Sequence, residues 1–338
     1  MPDTADRFYA PAEEAIHSRT WMCWPSTASF YKATPGYFAD VQATIGRLAA
    51  AIAQNEPVTM LAAARWHPLA RQLCGPRVDL ADVPTNDMWA RDSGPVFVRN
   101  SKGQKAAVKF NFNGWGKKMP HKLDNRVADA VASLSACQTI VANVVGEGGG
   151  VEYDGEGTLL LTDSCWVNDN RNPGRTQAQI EAELARVLGI DKVIWLPGVR
   201  GQEETDGHID GVIRFVRPGL VLMSGVSGDT SEWGQAYDRS KAILARQTDA
   251  KGRRFAIVEL PFAQKWRSVH DQFFSGYANY YVGNGAVYSP QFGDKAGDAL
   301  AEETLARLYP DRRIVMLNMD RIYENGGGIH CVTQQEPA

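Results

Sequence analysis

Apolar residues recur at helical spacing in five stretches of the chain, and a short apolar strand follows each one. In the first stretch Phe38, Val41, Ile45, Leu48 and Ile52 are spaced 3, 4, 3 and 4. That spacing puts them on one face of a helix from about Tyr37 to Ala53. Pro57 follows, then a strand over Val58 to Leu61. Leu123, Val127, Val131 and Leu134 mark a second helix, with a strand over Thr139 to Val145. Ile180, Leu184, Val187 and Leu188 mark a third, opened by a capping box of Thr176 and Gln179 and closed at Gly189. Its strand is Lys192 to Leu196. Ser231 can cap a fourth helix running to about Gln247, with a strand over Phe255 to Leu260. A fifth helix, about Asp298 to Tyr309, precedes a strand over Arg313 to Leu317.

Paired strands fill the gaps: Pro95–Val98 with Ala107–Phe112, Val212–Val216 with Leu220–Met223 across Pro218-Gly219, and Tyr280–Val282 with Ala286–Ser289 across Gly283-Asn284. The unit is therefore strand, strand, helix, strand, used five times at a period of about 65 residues. Such repetition predicts a closed ring of five ββαβ units in a single α/β domain over 1–338. The rival is an open doubly wound sheet. It requires a Gly-rich phosphate loop between an early strand and helix, and the sequence has none.

Composition narrows the function classes. The chain has 338 residues, 44% hydrophobic and 22% charged, with a formal net charge of -3, ordinary values for a folded globular protein. Lys and Arg form no basic stripe, so no nucleic-acid partner is expected. No apolar run approaches the ~18 residues needed to span a membrane. Met1 to Ala10 is polar and has no signal-peptide core, so a cytoplasmic location is expected. Cys23, Cys74, Cys137, Cys165 and Cys331 are far apart with no C-x-x-C pair, against a structural zinc site or a disulfide framework. Four of them sit in apolar or helical contexts. Cys331 instead follows three glycines and a histidine.

The repeat makes certain loops equivalent. They are Asn86–Pro95 in the first unit, Gly146–Gly150 in the second, Glu204–Asp210 in the third and Asn325–Cys331 in the fifth. In a ring these loops converge near the axis, which would gather Trp89, Asp92, Glu147, His208, Asp210 and Cys331 into one site. Each residue also has a plainer reading. Gly326–Gly328 could be a tight turn needing positive φ, and Cys331 a buried thiol. His208 and Asp210 would share one face of a strand, but a lone histidine is more often structural. Glu203, Glu204 and Asp206 nearby raise a metal reading, against which stand the single histidine and the absence of an H-E-x-x-H pattern. Asp92 could pair with Arg91, Trp89 could belong to the core, and Glu147 could cap a turn.

The residues also carry a resemblance. The chain resembles the agmatine deiminase family, within the guanidino-group-modifying superfamily that includes bacterial-type peptidylarginine deiminase. The shared motifs begin at Pro11-Ala12-Glu13-Glu14, His17 and Arg19-Thr20-Trp21-Met22. They continue through Trp24-Pro25, Asn86-Asp87-Met88-Trp89, Arg91-Asp92 and Asn111-Phe112-Asn113-Gly114-Trp115-Gly116. Glu147-Gly148-Gly149, Asp154-Gly155-Glu156-Gly157, Asn170-Arg171-Asn172-Pro173 and Trp195-Leu196-Pro197-Gly198 follow. Thr205-Asp206-Gly207-His208 with Asp210, Pro290-Gln291-Phe292-Gly293-Asp294 and His330-Cys331-Val332-Thr333-Gln334-Gln335 complete the set.

The resemblance implies a five-bladed pseudo-symmetric α/β propeller (pentein), no metal or organic cofactor, a small guanidino substrate, and a homo-oligomer such as a dimer. It implies Cys331 as nucleophile, His208 as acid/base, Asp92 and Asp210 as guanidinium binders, Glu147 as the group orienting His208, and Trp89 as a wall of the substrate channel. The chemistry suits these residues. A guanidinium is a planar cation rich in N–H donors, which two carboxylates can grip. Its carbon is a poor electrophile, so a thiolate serves better than an alkoxide.

Three positions depart from the pattern of members that act on agmatine. Gly328 stands where they often have Asn before Ile-His-Cys, Gly211 where they often have Asn after His-x-Asp, and Gly150-Val151-Glu152 where they often have Ser-Ile-His. Glu152 would add a negative charge near the pocket. The leading expectation is hydrolysis of agmatine to N-carbamoylputrescine and ammonia. The alternatives are a deiminase of arginine derivatives or peptidyl-arginine, an amidinotransferase, and a non-catalytic binder of guanidines or polyamines. Retention of a thiol argues against the last, since binding a cation needs none.

Overall fold

The computed structural model describes residues 7–225, 227–270 and 273–338. Residues 1–6, the start of the polar N-terminal stretch, lie outside the described residues. Five separate small sheets form, each with an antiparallel strand pair followed by a parallel third strand. One sheet runs Val96–Arg99, Lys105–Lys109, Gln138–Val141. The next runs Glu152–Tyr153, Thr158–Thr162, Lys192–Leu196. Then come Ile213–Arg217, Leu220–Ser224, Ala256–Leu260, and Tyr281–Gly283, Ala286–Pro290, Arg313–Leu317. The remaining sheet has four strands and joins the two ends of the chain. Gln334–Pro337 pairs antiparallel with His17–Cys23, which continues in parallel to Val58–Ala62 and Val78–Asp82. A helix links the second and third strands of each unit, so the strand-strand-helix-strand repeat holds in all five.

Burial falls from the first strand of each sheet to the last. Val96–Arg99 and Gln334–Pro337 are almost wholly buried, whereas Gln138–Val141 is largely exposed. The first strands therefore face the middle of the ring. Gln334–Pro337 lies against Val96–Arg99, and Glu152–Tyr153 against Ile213–Arg217. The largest apolar core joins helices Tyr37–Ile52 and Lys295–Leu308 to the sheets beneath them.

The local signals act as their chemistry dictates. The Thr176 hydroxyl accepts from the Gln179 amide N–H at 3.3 Å, and the Gln179 side-chain oxygen accepts from the Thr176 N–H at 2.9 Å. Gly189 ends that helix at φ 67, and Ser231 accepts from the Gly234 N–H at 3.1 Å.

Other boundaries differ from expectation. The strand predicted over Ala107–Phe112 stops at Lys109, and Asn111 turns the chain at φ 60. The strand predicted over Thr139–Val145 is Gln138–Val141. The second helix opens with a 3-10 turn, Asp124–Arg126, before Val127–Leu134, and the fifth starts three residues early, at Lys295. The last hairpin turns at Asn284-Gly285 rather than Gly283-Asn284, because Gly283 pairs with Ala286. His208 and Asp210 do not lie on a strand: Ile209–Gly211 is a 3-10 turn with His208 at its N-cap. The short helix Ala90–Ser93 and the polar strand Gln334–Pro337 were not foreseen. Among the described residues no helix is long and apolar enough to cross a membrane.

Candidate active site

The residues just before the first strand of each sheet converge. Asp92 precedes Val96–Arg99, Glu147 precedes Glu152–Tyr153, and Asp210 precedes Ile213–Arg217. Asn279 precedes Tyr281–Gly283, and Cys331 precedes Gln334–Pro337. All five positions therefore lie at the same end of the ring.

Gly149 lies at their centre. A Cβ there would stand 2.7 Å from His208 Nδ1, 2.8 Å from Asp92 Oδ1 and 3.2 Å from Asp210 Oδ2. The Gly149 N–H donates to Asp92 Oδ1 at 3.1 Å. The neighbouring glycines are required for close packing: a Cβ on Gly146 would collide with the Trp166 ring, and one on Gly148 with the Arg91 carbonyl. Gly149→Ala should displace His208 or Asp92. Misplacing reacting groups by about 1 Å costs about 100-fold in rate, so steady-state assay of the folded variant should show a loss of that order.

Cys331 is half-buried. Its Sγ accepts from Asn279 Nδ2 at 3.2 Å and lies 3.6 Å from Asp210 Oδ2. The other end of the Asn279 amide accepts from the backbone N–H groups of His330 at 3.0 Å and Cys331 at 3.3 Å. One side chain thus fixes both the sulfur and the backbone that carries it. Burial, then the charges of Asp210 and Asp92, push the thiol well above its ordinary value.

Of the three glycines before His330, only Gly326 needs positive φ, at +83. A Cβ on Gly327 would strike the Trp89 ring, and one on Gly328 would meet the Asn279 amide and the Tyr323 ring. Gly328 therefore has no room for an asparagine, because Asn279 and Tyr323 fill that space.

The acidic residues are buried and differ in partner. Asp92 accepts from Trp115 Nε1 at 2.9 Å. Burial, helped by Asp210 and Glu147, pushes its carboxyl up to about 6 even though His208 opposes the rise. Burial works against ionised Glu147, but Arg171 and His208 outweigh it and hold the carboxyl below its ordinary value. Arg171 Nε donates to both Glu147 oxygens at 2.9 Å, and Arg171 Nη1 donates to Asp206 at 2.8 Å.

His208 lies between two acids, with Nε2 3.2 Å from Glu147 and Nδ1 3.7 Å from Asp92. Burial opposes its charge, but Asp92, Glu147 and Asp210 prevail and raise the imidazole to about 9. Asp210 is held below its ordinary value despite burial, through its bond to His330 and the charge of His208. Trp89 is buried, with its Nε1 donating to Asp87 at 3.1 Å and its ring against Gly327.

Asp92, Glu147, His208, Asp210 and Cys331 come together here, while Trp89 lies in the apolar core with its ring against Gly327. Some plainer readings are corrected. Arg91 does not pair with Asp92: it donates to Gln335 at 2.7 Å and to the His330 carbonyl at 3.3 Å. Glu152 is not free to charge the pocket, since it accepts from Arg214 at 3.1 Å and from the Phe215 N–H at 2.6 Å. Asp206 is bound to Lys118 and Arg171. Sequence reasoning missed Asn279, Trp115, Arg171 and His330 as contributors. The repeat itself could have located Asn279, because the fourth unit has an equivalent loop that had not been assigned a residue.

Comparison with known proteins agrees with this geometry. The family described as Porphyromonas-type peptidyl-arginine deiminase matches residues 9–337. The chain belongs to this family. A relative of this deiminase-family chain in Streptomyces coelicolor is 39% identical over 98% of this chain and 99% of its own length. The agmatine deiminase of Stutzerimonas stutzeri is 36% identical, covering 98% of this chain and 96% of that protein. The solved structure of the agmatine deiminase of Enterococcus faecalis superposes with a TM-score of 0.92 at 30% identity, covering 100% of this chain and 98% of that chain. The propeller is therefore the pentein fold of guanidino-modifying enzymes.

Proposed function

We propose that this chain is a cysteine-dependent deiminase that hydrolyses agmatine to N-carbamoylputrescine and ammonia. The observation that carries the reading is the grouping of the Cys331 thiol, two acids and an imidazole flanked by carboxylates around Gly149. The sequence relatives named agmatine deiminase favour that substrate.

In this reading Asp92 and Asp210 grip the guanidinium from two sides. The Cys331 thiol releases its proton to solvent as the guanidinium binds, and its sulfur then bonds to the guanidinium carbon. Protonated His208 gives its proton to the departing nitrogen, which leaves as ammonia, and a thiouronium remains on Cys331. Neutral His208 then takes a proton from water as the water oxygen bonds to the same carbon. The carbon–sulfur bond breaks, the hydroxyl proton passes to the departing sulfur and restores the thiol, and the ureido product leaves. Glu147 orients His208, Asn279 holds the sulfur, and Trp89 lines the path of the substrate. No cofactor enters any step. The chain works over 1–338 as one catalytic domain, in the cytoplasm, as a homo-oligomer such as a dimer.

The test is ammonia release and product mass across agmatine, free arginine and an arginyl peptide. Agmatine as the best substrate supports the proposal. Preference for the arginyl peptide would move the chain to peptidyl-arginine, and ammonia appearing only with an added amine acceptor would make it a transferase.

The substrate tail needs its own anion. Glu204 is exposed, and its carboxylate lies 3.6 Å from where a Cβ on Gly326 would stand, on the loop facing the Cys331 segment. We assign it to the tail ammonium. Glu204→Gln should raise KM for agmatine about tenfold, the equivalent of about 1.4 kcal/mol. It should leave KM for an uncharged alkylguanidine unchanged. Equal KM changes for both would remove Glu204 from that role.

A further inference from the structure

The mechanism above leaves the buried imidazole next to the nucleophile without a task. His330 is 2% exposed, and both of its ring nitrogens meet carboxylates. Nδ1 is 2.7 Å from Asp210 Oδ2, and Nε2 is 2.8 Å from Glu13 Oε2. An ionised carboxylate can only accept, so each contact needs an N–H on the ring. Glu13 is anchored in turn. Arg214 Nη2 donates to it at 2.7 Å, and Arg91 Nη2 lies 3.7 Å away. Arg214 also donates to Glu152 and to the Tyr280 carbonyl at 2.6 Å. The chain Arg214–Glu13–His330–Asp210 therefore runs from the interior to the oxygen that lies 3.6 Å from the Cys331 sulfur.

We infer that His330, braced by Glu13, is the positioning residue that keeps Asp210 oriented and ionised for the guanidinium. It touches neither the substrate nor the sulfur. The inference rests on the deiminase reading but assigns residues that the reading does not use.

The geometry explains why such a brace is needed. Asp210 Oδ2 lies 2.7 Å from His330 Nδ1 and 3.6 Å from the Cys331 sulfur; the charges of His208 and Arg214 favour its ionised form, and its own charge opposes ionisation of Asp92. A second carboxylate so near makes ionising both acids costly. Substrate arrives as a cation and needs both ionised. A fixed donor on one Asp210 oxygen orients the other and favours the charged form. Glu13 stands to His330 as Glu147 stands to His208: each of these two imidazoles lies between two carboxylates. The two imidazoles then differ in duty, because His208 Nδ1 comes only within 3.7 Å of Asp92 while both His330 nitrogens are already bonded.

The test uses His330→Gln and Glu13→Gln in the full chain. Gln at 330 carries its donors on a single nitrogen and cannot bridge two acids on opposite sides of the ring. Glu13→Gln removes the bracing charge and leaves His330 in place. Each variant is first compared with wild type by thermal melting. Agmatine binding is then measured by calorimetry in a Cys331→Ser background, where no turnover occurs. For His330→Gln we expect Kd to weaken about tenfold or more, the equivalent of about 1.4 kcal/mol. For Glu13→Gln we expect a smaller change of the same sign.

In the Cys331 enzyme, losing the brace lets the Asp210 carboxyl rise. The acidic limb of kcat/KM should therefore move to higher pH in both variants. A wild-type acidic limb and unchanged Kd in folded His330→Gln overturn the inference. If His330→Gln does not fold, Glu13→Gln decides by the same two readings. If wild type binds agmatine but releases no ammonia, the deiminase reading fails while the binding arm still judges His330. If wild type turns agmatine over and the variants bind it normally, only the role of His330 falls.

Discussion

Cys331→Ala should abolish ammonia release, with a fall in kcat of about 10⁴-fold or more, the scale seen when a covalent nucleophile is removed. The protein should stay folded. Cys331 is half-buried and its side-chain contacts to Asn279 and Asp210 are long, at 3.2 and 3.6 Å, so the urea midpoint should barely change. Cys331→Ser should be almost as inactive, because a serine hydroxyl in an acidic pocket is a far weaker nucleophile. Substantial activity in either variant would remove Cys331 from the nucleophile role.

The same environment makes a second statement about this thiol. Burial, Asp210 and Asp92 all disfavour the thiolate. In the free protein iodoacetamide should therefore inactivate slowly at neutral pH, at a rate that keeps rising into the alkaline range. A bound guanidinium would cancel the two acidic charges that oppose ionisation, so the nucleophile would form when substrate is present. The other thiols do not confuse the reading. Cys74 and Cys165 are each pushed up to about 12 by burial, and Cys23 and the half-buried Cys137 are pushed up as well.

Cys331, His208, Asp92 and Glu147 were legible in the sequence for one shared reason: each lies in a loop that the repeat makes equivalent. Glycines around Glu147 and Cys331 advertised close approach, and the structure shows the neighbours that require it. Asn279 occupies the same position in the fourth unit, but Ser275–Ala278 before it has neither acid nor glycine run to mark it. It could have been found by register alone. Arg171, Glu13 and His330 act through pairing at long range. Glu13 and His330 are separated by 317 positions, and no local pattern encodes such a partner. The closing strand Gln334–Pro337 was hidden for a different reason. Its polar sequence has no apolar alternation, and its burial rests on partners that two of its side chains find elsewhere in the chain. Arg91 donates to Gln335, and Trp21 Nε1 donates to Glu336 at 3.0 Å. The five-fold order survived these misses because the helix periodicity and hairpins recur independently in each unit.

Arg171→Met should be the most destabilising change outside the nucleophile's own loop. The Arg171 side chain is 0% exposed and bonds both Glu147 and Asp206. Removing one partner of a buried pair costs about 3–5 kcal/mol, because the charge left behind has no solvent. Asp206 keeps Lys118 at 2.9 Å, so the burden falls on Glu147. Urea denaturation should show the loss. Adding Glu147→Gln to Arg171→Met should recover part of it, since no charge is then stranded.

Activity should not recover, because Glu147 also sets the protonation of His208. That imidazole is raised from 6.5 to about 9. Its charge therefore stabilises the fold fully below pH 6.5, and the contribution is lost as pH rises through about 9. With Asp92 at about 6, an ionised Asp92 and a protonated His208 coexist between about pH 6 and about pH 9. kcat/KM of the wild type should be bell-shaped over that window. In Glu147→Gln one of the charges holding His208 up is gone, so the basic limb should move toward neutral while the acidic limb stays or moves lower, because less negative charge then opposes Asp92. A double variant that regains stability yet keeps a collapsed basic limb would separate the two roles of Glu147, in burial balance and in catalysis. Recovery of the wild-type limb along with stability would show instead that Glu147 matters only as a counter-charge for Arg171.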